Sequence, residues 1–289
     1  MINGQISHWW DALGAPVPRP ALPGSTQVDV AIVGAGFTGL WTAYYLKRDH
    51  PDLRIAVIEQ RHAGYGASGR NGGWLTNSIT GGREQYLARH GRDVVERFQR
   101  VMNETVDEVI AVAAREGIDA DIVKGGKFNV ACTPAQEERL RKSAEAEQRW
   151  RYSDVEVLEA AQARERIAVH GTRAALWHPH AARIQPAKLV RGLARTVEGL
   201  GVAIHEGTRA LAIEPGKVIT DHGTVSAGTV VRATEGFTAQ LKGLKRLWLP
   251  MNSSLIATEP LQQSVWEEIG WSGGEVLGDF AHVYMYAQR

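Results

Sequence analysis

Cysteine is almost missing. Cys132 is the only one in 289 residues, so no intrachain disulfide is available and stability must come from packed apolar side chains. A charge imbalance is missing too: 33 lysines and arginines face 32 acids, for a formal net charge of +1. That balance supplies no field for nucleic acid or an anionic membrane, and small-molecule partners are expected instead. No apolar run approaches the roughly 20 residues that cross a bilayer, and even residues 28–33 are stopped by Gly34. The first ten residues lack the basic and apolar stretches of a secretory leader, from which a cytoplasmic location is expected. Internal repeats and low-complexity stretches are absent as well, and no metal-ligand set is expected. What the chain does have is 44% hydrophobic composition, enough for one sizeable core or two domains.

Pro16, Pro18, Pro20 and Pro23 deny a regular helix before Thr26, so residues 1–26 read as an extended arm, with Trp9 and Trp10 as its anchors. A short buried strand at 29–33, a tight turn at 34–39, a helix at 40–48 and a strand at 54–59 then form a β-α-β unit. Such a unit folds as a parallel sheet with a right-handed crossover. Apolar positions Val94, Val95, Phe98, Val101, Met102, Val106, Val109 and Ile110 predict one long amphipathic helix within 83–117. A strand follows at 127–132. Thr133-Pro134 caps a polar helix running to Trp150. A further helix spans 186–200, a third parallel strand 202–205, and short strands 209–214, 217–220, 224–226 and 229–233. Beyond Pro250 there are strand-like runs without a closing element.

The chemistry centres on Gly34-Ala35-Gly36-Phe37-Thr38-Gly39. Gly34 permits the tight turn, Gly36 lets backbone approach a pyrophosphate, and Gly39 lets helix and strand pack closely. The free N–H groups and positive end of the following helix attract the anion. Glu59 ends the second strand 20 residues after Gly39, the separation of about 20 expected of an acid that accepts ribose hydroxyl protons. A plain structural turn and a solvated strand-end acid compete with this reading, but the complete strand–turn–helix–strand context favours a dinucleotide. FAD and NAD are not separated by it. A second glycine-rich loop, Gly64-Tyr65-Gly66-Ala67-Ser68-Gly69-Arg70-Asn71-Gly72-Gly73, adds backbone donors and polar side chains suited to a pyrophosphate or a flavin edge.

Residues 29–73 resemble the opening of the D-amino-acid oxidase superfamily, the flavoproteins that include glycine, sarcosine and gamma-glutamylputrescine oxidases. The Gly66–Gly73 run is most similar to the gamma-glutamylputrescine oxidase branch. His178-Pro179-His180 through Arg183 to Pro186 resembles the family's link out of its substrate domain. Val230–Gly236 resembles its alanine-threonine-glycine strand, with Glu235 in place of a small residue. The resemblance implies an α/β fold: a discontinuous Rossmann-like FAD-binding domain at 27–82 and 184–246, and a mixed or antiparallel α+β substrate domain at 83–183 and 247–289. It places Gly34, Gly36, Phe37, Thr38 and Gly39 at the pyrophosphate, Glu59 and Gln60 at the ribose, the Ala210 backbone at adenine, and Ala67, Ser68, Asn71, Gly72 and Gly73 at the flavin. Asn71 stands where covalent members carry histidine, which implies non-covalent FAD, and Cys132 reads as a core thiol.

The implied reaction is oxidation of a C–N bond by hydride transfer to flavin, with the imine hydrolysed by water and molecular oxygen as the acceptor. No acid–base residue is identifiable. His178, His180 and Arg183 are candidates near the flavin, each with a structural role as the competing reading. Relatives extend past the position of Arg289, so the substrate domain is expected to be incomplete and the chain a truncated product. An NAD-dependent dehydrogenase and a non-catalytic FAD-binding remnant or subunit stay open as alternatives.

Overall fold

The computed structural model describes residues 7–14, 16–251 and 253–289. The chain divides into two compact units. One comprises Met1–Asn71, Glu116–Ala120 and Gln185–Ile256; the other comprises Gly72–Arg115, Asp121–Ile184 and Ala257–Arg289.

The first unit is built on a six-stranded sheet. Its order is Ala203–His205, Ile55–Ile58, Thr26–Val33, Gly223–Arg232, Lys217–Thr220, Ala210–Glu214. The first four strands run parallel and the last two antiparallel. All of Ile55–Ile58 and the second half of Thr26–Val33 are buried, as expected of central strands covered on both faces. The two stretches expected as separate strands at 224–226 and 229–233 form one strand, Gly223–Arg232. Parallel pairing along Thr26–Val33 carries the backbone straight through Gly228, overriding glycine's weak strand preference. Helix Phe37–Asp49 buries Gly39, Leu40, Ala43 and Tyr44, a stripe at helical spacing, and ends with Lys47 and Arg48 at its negative pole. Helix Pro186–Gly199 packs beside it.

The proline-rich arm belongs to this unit; residues 1–6 and 15 of it lie outside the described residues. It is not wholly extended, because His8–Asp11 makes one helical turn. Trp10 is buried and meets His62 edge-to-face at 4.8 Å, and Trp9 Nε1 donates to Asn71 O at 2.8 Å. Further along, the buried Glu206 carboxylate accepts from Arg19 N and Nη1 and from Ala63 N, so the arm is fastened by charge as well as by its tryptophans.

The second unit has a five-stranded mixed sheet, ordered Tyr286–Ala287, Val276–Asp279, Lys127–Ala131, Ala174–His178, Glu156–Glu159. Only the pair Val276–Asp279 and Lys127–Ala131 is parallel. Phe128, Val130, Ala175 and Leu158 point to one face and pack on Ala163, Ile167 and Trp271. Ala131, Ala174 and Leu176 meet Leu140 and Ala144 of helix Pro134–Gln148 on the other. That helix starts as expected: Thr133 Oγ1 accepts from Gln136 N at 3.2 Å, and Gln136 Oε1 accepts from Thr133 N at 3.1 Å. The long helix expected within 83–117 is two, Glu84–His90 and Arg92–Arg115, parted at Gly91 with φ +76°. Cys132 is half-buried at the border of the core rather than inside it, and burial pushes its thiol pKa up.

Candidate functional site

A cavity of about 340 Å³ opens in the first unit above the carboxyl ends of its parallel strands, the place where open α/β sheets take ligands. The turn after Thr26–Val33 forms one wall. Gly34 has φ +107°, and a Cβ there would lie 2.4 Å from Ala233 O, so the position admits only glycine. At Gly36 a Cβ would come within 2.9 Å of Ser68 Oγ. Gly36 caps helix Phe37–Asp49 without offering a side chain to it, so the Thr38 N–H is left uncapped at the cavity wall. Ser68 Oγ accepts from Phe37 N at 2.9 Å, tying the second glycine loop to the first.

Glu59 sits beside them. Its Oε2 accepts from Ala35 N at 3.0 Å and its Oε1 from Arg61 N at 2.8 Å, leaving lone pairs on both oxygens for hydroxyl donors. Burial pushes its pKa above the ordinary carboxylate value, and the two backbone N–H groups act in the opposite direction. The same cavity is lined by Gly34, Gly36, Phe37, Thr38, Gln60, Ala67, Ser68 and Ala210, so most of the positions expected to hold a dinucleotide converge. Gly39 does not face it; its Cα packs so tightly that a Cβ would sit 2.0 Å from Gly34 O. Asn71 does not line it either: its Nδ2 donates to Ala67 O and Ser68 O, each at 3.1 Å. Gly72 and Gly73 belong to the second unit, where Cβ atoms would collide with the Tyr286 ring and the Gln288 side chain.

Matched to a dinucleotide, this geometry fits its ADP half. Glycines that no side chain could replace bring backbone close, helix N–H groups suit phosphate oxygens, and an acid suits a ribose. The chain matches the family profile described as FAD dependent oxidoreductase over residues 29–289. The chain belongs to this family. FAD is the family's cofactor, which decides between the flavin and nicotinamide readings that the glycine motif leaves open.

Among curated relatives, a probable oxidoreductase OrdL of Rhizobium meliloti is 30% identical over 97% of this chain and 66% of its own length. The gamma-glutamylputrescine oxidoreductase of Escherichia coli is 29% identical over 92% and 63%. The chain thus spans 63 to 66% of the length of the first such relatives. Two solved structures share the fold: glycine oxidase from Geobacillus kaustophilus, at TM-score 0.61 and 24% identity over 76% of this chain and 58% of that one, and L-proline dehydrogenase from P. horikoshii, at 0.67 and 17% over 90% and 65%.

Several lining residues escaped the sequence reading. Arg61, two residues after Glu59, is not singled out by the motif, and Tyr65 figures only as part of the second glycine loop; the Arg61 guanidinium lies 5.8 Å from the Tyr65 ring centroid. Thr234, within the expected Val230–Gly236 segment, also lines the cavity, as do the unexpected Phe237, Gln240 and Leu241, all from far along the chain. They arrive because Gly223–Arg232 pairs in parallel with Thr26–Val33, with Ala233 N donating to Val33 O at 2.8 Å. Glu235, noted above for replacing a small residue, has φ +42°, the left-handed region in which a Cβ is crowded.

The other candidates lie in the second unit. His178 ends a central strand and is mostly buried; desolvation, with the nearby Lys127 charge, holds its pKa down at about 3, so the imidazole is neutral at physiological pH. His180 Nε2 pairs with Asp154 Oδ2 at 2.5 Å. Arg183 is committed locally: its backbone pairs with Val123 and its Nη1 donates to Arg289 O. His178 and His180 therefore line a cavity and Arg183 does not. No helix among the described residues is long and apolar enough to cross a membrane.

Proposed function

We propose that the chain forms the FAD-holding and substrate-contacting parts of an enzyme that oxidises the C–N bond of an amine or amino acid. The carrying observation is the Gly34–Gly36 cradle closed by Ser68 with Glu59 alongside, in a chain of this family. Gly34, Gly36, Phe37, Thr38 and Gly39 form the pyrophosphate side, where the Thr38 N–H is the donor while Ser68 holds that of Phe37, Glu59 and Gln60 hold the ribose, and the Ala210 backbone meets adenine. Ala67, Ser68, Asn71, Gly72 and Gly73 serve the flavin end, and with asparagine at 71 the attachment is non-covalent. The flavin, when bound, accepts two electrons and a hydrogen from the carbon next to the amine. The chain's own task is to bind that amine unprotonated and oriented; the imine product is hydrolysed by water, and molecular oxygen serves as the electron acceptor. The curated relative acting on gamma-glutamylputrescine supports an amine carried on an amino-acid scaffold.

The visible absorption of the purified protein tests this, before and after anaerobic addition of gamma-glutamylputrescine, sarcosine or glycine. Oxidised-flavin bands that bleach with one of them are the expected result. A colourless protein that FAD cannot reconstitute defeats the cofactor assignment. A yellow protein that none of the three bleaches excludes these substrates and favours a non-catalytic flavin carrier or a different amine. Glu59→Gln provides a readout independent of turnover: loss of charge-assisted bonds of about 1.5–3 kcal/mol predicts roughly 10- to 100-fold weaker FAD binding.

A further inference from the structure

The second unit contains a cavity of about 430 Å³ whose wall mixes charged, polar and apolar side chains. One side of it is the sheet face carrying Lys127, Asn129 and His178. Lys127 and His178 are directly paired across neighbouring antiparallel strands, and Asn129 follows Lys127 by two residues. Strand alternation therefore turns all three the same way. Arg83, itself only 9% exposed, enters from the opposite side.

These four groups, and His180 beside them, have unused hydrogen-bonding capacity. Arg83 Nε donates to Gln99 Oε1 at 2.9 Å and its Nη2 pairs with Glu147, yet its buried Nη1 has no partner. The Lys127 amine makes no ion pair or hydrogen bond among the described residues, and burial lowers its pKa; its nearest aromatic neighbour is the Trp74 ring, 5.9 Å away. Asn129 Oδ1, His178 Nδ1 and His180 Nδ1 are buried without partners as well, which with Arg83 Nη1 makes four such atoms. Orphaned polar atoms are costly, about 1–3 kcal/mol each, and four converging on a single cavity imply a ligand or ordered water that satisfies them. Their types are complementary. Arg83 Nη1 and Lys127 Nζ are cationic donors, suited to a carboxylate. Asn129 Oδ1 is an acceptor, and a neutral imidazole bearing its proton on Nε2 offers Nδ1 as another; together they suit an ammonium group. Of the acids at the wall, Glu147 is engaged by Arg83 and Asp154 by His180, and Glu84 is exposed at the rim.

We propose that this cavity is a binding site for a zwitterionic α-amino-acid head group, its carboxylate held by Arg83 and Lys127 and its ammonium by Asn129 and His178. The site deepens the amine-oxidising reading, on which it rests for what the bound compound is used for, by assigning the substrate an amino-acid end. Occupancy of the cavity is measured without the cofactor's chemistry, so the two statements fail separately.

The test is calorimetric titration of the full 289-residue chain with three probes of similar size. L-Glutamine carries both charges, 4-carbamoylbutanoate lacks the ammonium, and 4-aminobutanamide lacks the carboxylate. Glutamine is expected to bind at least tenfold more tightly than either. Lys127→Met is expected to weaken glutamine at least tenfold while changing 4-aminobutanamide less than threefold, with circular dichroism reporting that the variant is folded. If Lys127→Met does not fold, the three-probe comparison on the unsubstituted chain still decides. Absence of glutamine binding at millimolar concentration, or equal affinity for all three probes, overturns the proposal.

Discussion

Gly39→Ala isolates the close packing of helix on strand from every other role of glycine. Gly39 lies in the first turn of helix Phe37–Asp49 without a positive φ, so alanine has no backbone objection there and gains up to about 1 kcal/mol of helix propensity. Against this, the new Cβ would lie 2.0 Å from Gly34 O, where real Cβ atoms essentially never come under 3.0 Å, and 3.2 Å from Ile32 Cγ2. The obstacle is backbone, and it belongs to the turn that forms the cavity wall, so the helix start must retreat by about 1 Å. Overpacking of this kind costs about 1–3 kcal/mol, and an immovable carbonyl puts it at the upper end. The net expectation is a loss of about 2 kcal/mol. Because the retreating element carries the Thr38 N–H and the Phe37–Ser68 bond that ties the two glycine loops, FAD affinity falls with it, by about tenfold for a lost hydrogen bond. Urea unfolding and flavin-fluorescence titration read the two effects. Gly199→Ala is the control: Gly199 ends helix Pro186–Gly199 with no positive φ and nothing within 4 Å of its Cβ position, so it is neutral or stabilising by up to about 1 kcal/mol. If Gly39→Ala matches wild type within about 0.5 kcal/mol and binds FAD equally well, the packing argument is refuted.

Thr133→Ala removes one half of a reciprocal cap and is expected to cost about 1 kcal/mol in urea unfolding. Glu235→Gly relieves a left-handed residue at φ +42°; after glycine's own entropy is charged against the gain, the unfolding free energy rises by about 0.5–1 kcal/mol. The His178 pKa of about 3 lies below the ordinary value of 6.5, so between those pH values the unfolded chain binds more protons than the folded one. Stability is therefore full above pH 6.5, declines as pH falls towards 3, and levels off below. His178→Gln should flatten that part of the pH–stability profile, and an unchanged slope in the variant would remove His178 as its source.

Which parts of this fold were legible follows from the range over which each signal acts. The β-α-β unit was readable because its glycines, helix stripe and Glu59 all lie within one short stretch, and each obeys a local steric or electrostatic rule. The same holds for the Thr133 cap, a contact over three residues. Helix Arg92–Arg115 shows the opposite case. Of its eight apolar periodic positions Val95 and Val106 are buried as expected, but Val94, Phe98 and Val101 are exposed, while Glu96, Gln99 and Asn103 are buried. Those polar residues are satisfied by a network that no helical pattern encodes: Gln99 Nε2 donates to Asn103 Oδ1 at 2.9 Å, Asn77 Nδ2 to the same oxygen at 2.8 Å, and Arg83 Nε to Gln99 Oε1. Hydrophobic patterning assumes that polar residues seek water, and it fails at the positions where partners on other segments take water's place. Gly91 escaped for a related reason, since a single glycine inside a helical pattern weakens it without announcing a break.

The two cavities divide along the same line. In the first, the wall built by the glycine turn, Glu59 and Ser68 was readable residue by residue, whereas the Thr234–Leu241 wall depends on a strand pairing some 200 residues away in sequence. In the second, His178 was singled out only by its likeness to a family segment. What gives it chemical meaning is the register that sets Lys127 directly opposite it, because that neighbour's charge and the surrounding burial together keep the imidazole neutral. A motif states which atoms approach a ligand when the ligand touches one turn of chain. When recognition is shared among strands, the information lies in register, and register is set by core side chains such as Phe128, Val130 and Ala175 on the far face of the same sheet. Shifting that core by one residue would turn Lys127 and Asn129 into the apolar face and leave the sequence motif unaltered.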